Sequence, residues 1–129
     1  MKQLTIKQIE KKAGEIRQDI IKMLVKAGSG HSAGPLGMAD VFTAFYFHIL
    51  SHKPKDPNWK ERDRLFLSNG HIVPVRYVAM AHAGYFSRDE LWTLRKLGSR
   101  LQGHPERKRL PGVETTSGPL GSGLGQACG

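Results

Sequence analysis

The sequence predicts an α/β protein that is mostly helical over this stretch, the opening part of a parallel-sheet domain. Three observations lead there. Helical spacing of apolar residues recurs in four segments, "RLFLS" alone reads as a buried strand, and glycine-rich loops sit between these elements. One strand cannot make a sheet, so most of the sheet is expected beyond residue 129.

Ile6, Ile9, Ala13, Ile16, Ile20, Met23 or Leu24, and Ala27 recur at steps of three and four, which puts them on one helix face. Thr5 and Gln8 form a capping-box pattern at its start, and Gly28 is placed to cap its end. "GSGHSAGPLGM" reads as a loop. "MADVFTAFYFHIL" is apolar nearly all round, the mark of a helix buried on most sides. "SHKPKDPNWKERD" is a polar connection with two prolines, followed by the strand-like "RLFLS" and the turn-like "NGH". "IVPVRYVAMAHAG" resumes helical spacing, with Pro74 tolerable only in the first turn and Gly84 at the end. In "SRDELWTLRKLG", Ser87 and Glu90 predict a second capping box and Gly98 a stop. From there to residue 117 the chain reads as loop, and "SGPLGSGLGQACG" then leads into a helix.

At 129 residues the chain is the size of one ordinary domain, here residues 1–129. Hydrophobic residues at 39% and charged residues at 24% exclude global disorder. The formal net charge of +9 raises an anionic partner, but the basic residues are scattered. No zinc-finger spacing, arginine-rich arm or aromatic-basic signature points to nucleic acid. A single cysteine, Cys128, allows no internal disulfide. The N-terminus is too charged for a signal peptide, and no apolar run approaches membrane-spanning length. These features predict a cytoplasmic protein.

Three of the six histidines follow a glycine in a turn: His31, His71 and His104. Glycine permits tight bends and close approach of a ligand, and imidazole exchanges protons and donates hydrogen bonds near neutral pH. His48, His52 and His82 lack that setting and read as structural or surface residues. Zinc is an alternative use of three histidines, but their spacing forms no compact ligand motif. The tetrapeptide Gly-Pro-Leu-Gly occurs twice, each time ahead of helical sequence whose free N–H groups favour anions. Neither copy matches the Walker loop or the dinucleotide fingerprint. On residues alone, His71 reads as a helix cap and His104 as a loop residue.

"SGHSAGPLGMADV", "DRLFLSNGH", "LQGHPE" and "GVETTSGPLGSGLGQA" occur in this order. Together they closely resemble the N-terminal part of transketolases, over about residues 10–129. The resemblance implies a thiamine-diphosphate-binding domain of an enzyme that moves a two-carbon ketol unit from a ketose phosphate to an aldose phosphate. It implies thiamine diphosphate and Mg2+ as cofactors and sugar phosphates as substrates. It also implies partnership with the remaining transketolase domains or a C-terminal subunit, in a homo- or hetero-oligomer. His31 matches a histidine at the reacting end of the cofactor, and His104 one that binds the donor's hydroxyl and carbonyl groups. His71 matches a contact to the cofactor's diphosphate. Gly118, Pro119 and Leu120 match the loop beside the thiamine.

The family's metal ligands sit in and after a Gly-Asp-Gly motif, which this sequence lacks, so no metal-binding residue is assigned here. The expectation is therefore a fragment of the cofactor domain, inactive by itself. Two alternatives are a related thiamine enzyme such as a deoxyxylulose-phosphate synthase, against which "SNGH" and "TTSGPLG" speak, and a non-catalytic assembly module, against which the intact glycine-histidines speak.

Overall fold

The computed structural model describes residues 4–129, and every regular element among them is helical. In chain order these are α1 (Ile6–Ala27), α2 (Ala33–Gly37) and α3 (Ala39–Ala44), which runs on into a π-helical turn, Phe45–Ile49. A 3-10 turn, Gly70–Ile72, then opens α4 (Val73–Ala83), a second 3-10 segment spans Arg88–Thr93, and α5 covers Ser122–Cys128.

Both ends of α1 follow from the sequence. The Gln8 N–H donates to Thr5 Oγ1 at 3.4 Å and the Thr5 N–H to Gln8 Oε1 at 2.9 Å, completing the capping box. Gly28 turns left-handed at φ 66° and donates to the Leu24 carbonyl. The buried stripe holds Ala13, Ile16, Ile20, Met23 and Leu24. It is shorter than the spacing predicts: Ile6 is 76% exposed and Ile9 only half-buried.

Helix α4 is the centre of the molecule. Nearly all of its residues are buried, and it packs against α1 and α3. Pro74 sits in its first turn, where the missing N–H has no helical partner to lose. Gly84 ends it at φ 95°.

Four expectations change in detail. "RLFLS" has no regular secondary structure and buries Leu67, and no strand pairs with it among the described residues, so it is not a ladder strand. The segment read as one buried helix over 38–50 splits, and its second half widens so that the Leu50 N–H reaches the Phe45 carbonyl. "AGPLG" is helical rather than loop, and it lies so close to Ile72 that a Cβ on Gly34 would sit 2.7 Å from its Cγ2. The helix expected to reach Gly98 stops at Thr93. Ser87 caps Asp89 instead of Glu90, Arg100 takes the Glu90 carboxylate, and Thr93 Oγ1 bonds back to the Glu90 carbonyl and to Ser99. These competing bonds break the predicted capping box and turn the chain at Leu94.

A buried charge cluster ties three elements together. Asp19 on α1 is 3% exposed and accepts from His82 Nε2 on α4 at 2.8 Å and from Arg88 at 2.5 Å. Burial pushes the Asp19 carboxyl up, but the hydrogen bonds from His82 and Arg88 outweigh it and the net displacement is downward. Burial also holds His82 below its ordinary value, against the pull of Asp19. His82 is thus a neutral donor near pH 7.

Asp19→Ala should destabilise the fold by about 3 kcal/mol, because it strands a buried partner and an ion-pair donor. Chemical denaturation measures this. Since both folded values lie below the unfolded ones, the stability they confer is full at neutral pH and is lost on acidification. Tm should fall as pH drops below the His82 reference of 6.5 and again towards the Asp19 reference of 3.8. His82→Gln should remove much of the upper part of that fall, and a Tm that stays flat from pH 7 to 5 would contradict the assignment.

Candidate functional site

Four loop segments that are distant in sequence meet at the N-terminal end of α4. His71 lies in the 3-10 turn that opens the helix, where the Ile72 N–H closes onto the Asn69 carbonyl. Gly70 beside it has no room for a side chain: a Cβ there would lie 2.7 Å from the Ser117 carbonyl oxygen. The loop at 117–118 therefore rests directly on the turn that carries His71.

Ser68 extends the same contact. Its Oγ accepts from the Gly121 N–H at 2.8 Å and the Gly123 N–H at 3.2 Å, holding the entry to α5. A Cβ on Gly123 would lie 2.6 Å from Ser68 Cα, so this approach needs glycine. The Ser117 N–H donates to the Pro105 carbonyl, and the Arg107 N–H to Thr116 Oγ1. These bonds fasten the His104 loop to the same wall. On its other side the loop is anchored by the buried Tyr77 of α4, whose hydroxyl donates to the Gln102 carbonyl at 3.0 Å.

The result brings the three glycine-histidines together. The rings of His31 and His71 have centroids 5.2 Å apart, and those of His71 and His104 4.8 Å apart, both edge to face. Gly118 lies against His104, since a Cβ there would be an ordinary 3.6 Å from its ring. Pro119 and Leu120 continue that loop but are exposed, Leu120 at 71%. His31 and His104 are exposed and His71 is half-buried, so their ring edges are open to a ligand. Burial chiefly, then the neighbouring His71 and His31 and the charge of Arg95, holds His104 below its ordinary value. It is therefore a neutral imidazole at pH 7, with one lone pair and one N–H.

The other three histidines are committed elsewhere. His82 serves the Asp19 cluster. His52 stacks on Tyr85 with the rings 3° from parallel, and it bonds the Tyr46 carbonyl through Nε2 and the Tyr85 hydroxyl through Nδ1. The carbonyl can only accept, so Nε2 carries the proton of the neutral ring. His48 reaches the Leu4 carbonyl. A larger cavity, about 350 Å3, is lined by Tyr46, His52, Lys53 and Trp59 and holds none of the glycine-histidines. A separate, narrow cleft is lined by Gly30, His31, His71, Pro74, Leu94, Arg95 and Gly103. Ser68, Ser117 and Arg95 are parts of this site that the sequence did not mark. Arg95 carried no signal, because it falls in a segment with helical spacing. Among the described residues no group of three or more His, Cys, Asp or Glu side chains is arranged to hold a metal ion.

The family model described as transketolase, thiamine diphosphate binding domain, matches residues 9–129. The chain belongs to that family. It is 45% identical to transketolase 2 of Escherichia coli over 118 residues, which is 91% of this chain and 18% of that protein. Against the chloroplastic transketolase of Spinacia oleracea the identity is 43% over 123 residues, covering 94% of this chain and 17% of that one. Among solved structures, transketolase from Leishmania mexicana superposes with a TM-score of 0.89 at 39% identity, over 97% of this chain and 18% of that chain. The Pichia stipitis transketolase complex with sedoheptulose-7-phosphate gives 0.85 at 39% identity, over 90% and 17%. The chain thus spans about a fifth of the length of the curated relatives it matches. Its fold is that of the transketolase N-terminal domain, of which the helical elements here form the opening part.

The two glycines of the wall should respond differently to alanine. Gly70→Ala drives a methyl into backbone and should cost about 1–3 kcal/mol, while Gly118→Ala, with ordinary contact distances, should stay within about 0.5 kcal/mol. Denaturant unfolding of both variants checks this. Equal effects would contradict the packing described.

Proposed function

We propose that this chain supplies one wall of the active site of a thiamine-diphosphate-dependent transketolase, with His31 and His104 as catalytic residues and His71, Gly118, Pro119 and Leu120 at the cofactor. The observation that carries this reading is the convergence of His31 and His104 on His71 from three separate loops. The residues present suit the group. Imidazole N–H edges match phosphate and hydroxyl oxygens, Gly118 leaves a flat surface beside His104, and Ser117 Oγ is buried there without a hydrogen-bond partner.

When bound, thiamine diphosphate supplies the electron sink that lets a carbon–carbon bond of a ketose break. The protein's part is positioning and proton handling. His71, at the opening of α4, would hold the diphosphate through a ring N–H, where the helix end also favours negative charge. His31 and His104 hold hydroxyl groups of a ketose phosphate. As a neutral imidazole, His104 accepts a hydroxyl proton at its free ring nitrogen and returns it later. The acceptor is an aldose phosphate.

Mg2+ would complete the diphosphate site through ligands other than residues 1–129, and the partners are the remaining transketolase domains or a C-terminal subunit, assembled as a homo- or hetero-oligomer. The setting is cytoplasmic sugar-phosphate metabolism of the pentose phosphate type. No helix among the described residues is long and apolar enough to cross a membrane, which suits this reading.

The test is reconstitution. The chain is combined with the complementary C-terminal portion of a transketolase, and two-carbon transfer between a ketose phosphate and an aldose phosphate is followed. Transfer should appear with thiamine diphosphate and Mg2+. His31→Ala and His104→Ala should each lower kcat/KM by about 100-fold or more. His71→Ala should instead raise the cofactor Kd about tenfold, the loss of one hydrogen bond to a charged group. Full transfer by the His31 and His104 variants would overturn the assignment.

A further inference from the structure

Arg95 is the one non-glycine residue with a left-handed backbone among the described residues, at φ 63°. The fold forces this conformation. Leu94 and Leu101 on either side are buried, the Arg95 N–H donates to the Leu101 carbonyl at 2.9 Å, and the Lys96 N–H closes onto the Thr93 carbonyl. Glycine would adopt this geometry without strain. An arginine kept at a strained position points to a use for its side chain.

The side chain lies in the cleft. Its guanidinium lies over Gly103, where a Cβ would be 3.1 Å from Cζ and 3.2 Å from Nη1, and a Cβ on Gly30 would lie 3.9 Å from Nη1. Any side chain at residue 103 would displace it. The cation lines the same cleft as His31 and His71, with no carboxylate among the lining residues. Nearby carboxylates are engaged elsewhere: Glu90 pairs with Arg100 and Glu106 with Arg109. Among the described residues the Arg95 guanidinium has no ion-pair partner of its own. An unpaired guanidinium that lines the cleft with His31 and His71, and whose charge His104 also feels, is a fork for an oxyanion.

We propose that Arg95 is a dedicated anion-binding residue of the three-histidine cleft, holding a phosphate-class oxyanion through its guanidinium. The inference rests on the proposed function only in placing the ligand at this cleft. Two sources share the chemistry: the diphosphate of the cofactor and the phosphate of a sugar substrate.

Calorimetric titration of the full chain with inorganic pyrophosphate, ribose 5-phosphate and uncharged ribose tests it, with Arg95→Gln, Arg95→Gly and Lys96→Gln as variants. The unaltered chain should bind at least one of the anions and bind ribose no more than weakly. Arg95→Gln should weaken anion binding about tenfold or more. Arg95→Gly should weaken it equally without lowering Tm, which separates the side chain's use from any role in folding. Lys96→Gln removes a neighbouring exposed charge and should leave binding unchanged. A larger loss with pyrophosphate assigns Arg95 to the cofactor, and a larger loss with ribose 5-phosphate assigns it to the substrate. Unchanged binding in Arg95→Gln, an equal loss in Lys96→Gln, or no anion binding by the unaltered chain overturns the proposal. Two-carbon transfer that fails in reconstitution while Arg95-dependent anion binding persists would count against the proposed function alone.

Discussion

Two backbone segments, 68–70 and 117–123, press together at distances that leave no room for a Cβ at Gly70 or Gly123, and the rest of the site depends on that contact. Ser68 stitches it with two hydrogen bonds to backbone N–H groups. Because the turn at 68–70 opens α4, the contact fixes the loop at 117–121 to the most deeply buried helix of the molecule. The His104 loop is bonded to that loop in turn, and α2 rests on Ile72 from the other side, carrying the segment with His31. Four loops distant in sequence are thereby joined into one surface that carries the three imidazoles.

The histidines divide by environment, and the division explains their different uses. His82 and His52 are spent on structure, with both partners and orientation set by packing. The glycine-histidines sit where the backbone bends sharply, and their ring edges face outward. The His71 ring stands about 5 Å from both His31 and His104, and burial first, then these neighbours, holds His104 below its ordinary value, so that its imidazole is neutral and able to both donate and accept. The Asp19 cluster does the opposite work. It gathers charge into the interior and ties α1 and α4 to the segment that precedes Arg95.

Much of this was legible in the sequence, for identifiable reasons. Local signals predicted local outcomes: the Thr5 capping box, Gly28 and Gly84 as helix ends, and Pro74 in a first turn all depend on residues within a few positions. The four ordered motifs carried the family, and the glycines preceding the histidines marked three side chains that the fold brings together. What escaped was decided at long range. "RLFLS" has the composition of a strand, but a ladder needs a neighbouring strand and none lies within the described residues. The segment after Ser87 has helical spacing, yet Arg100 and Ser99 draw away Glu90 and Thr93 and bend the chain. That bend is what carries Arg95 to the cleft lining, so the missed loop and the missed placement of Arg95 have one cause. Ser68 likewise acquires its role only once residues more than fifty positions away arrive.

The central claim is that His31, His71 and His104 form one ligand site, separate from the other histidines. Histidine-labelled chain titrated with thiamine diphosphate and Mg2+, and followed by NMR, tests this most directly. The account predicts that the ring signals of His31, His71 and His104 shift together, with a common dissociation constant, while those of His48, His52 and His82 stay in place. Shifts confined to the second set, or three unrelated titrations in the first, would contradict it.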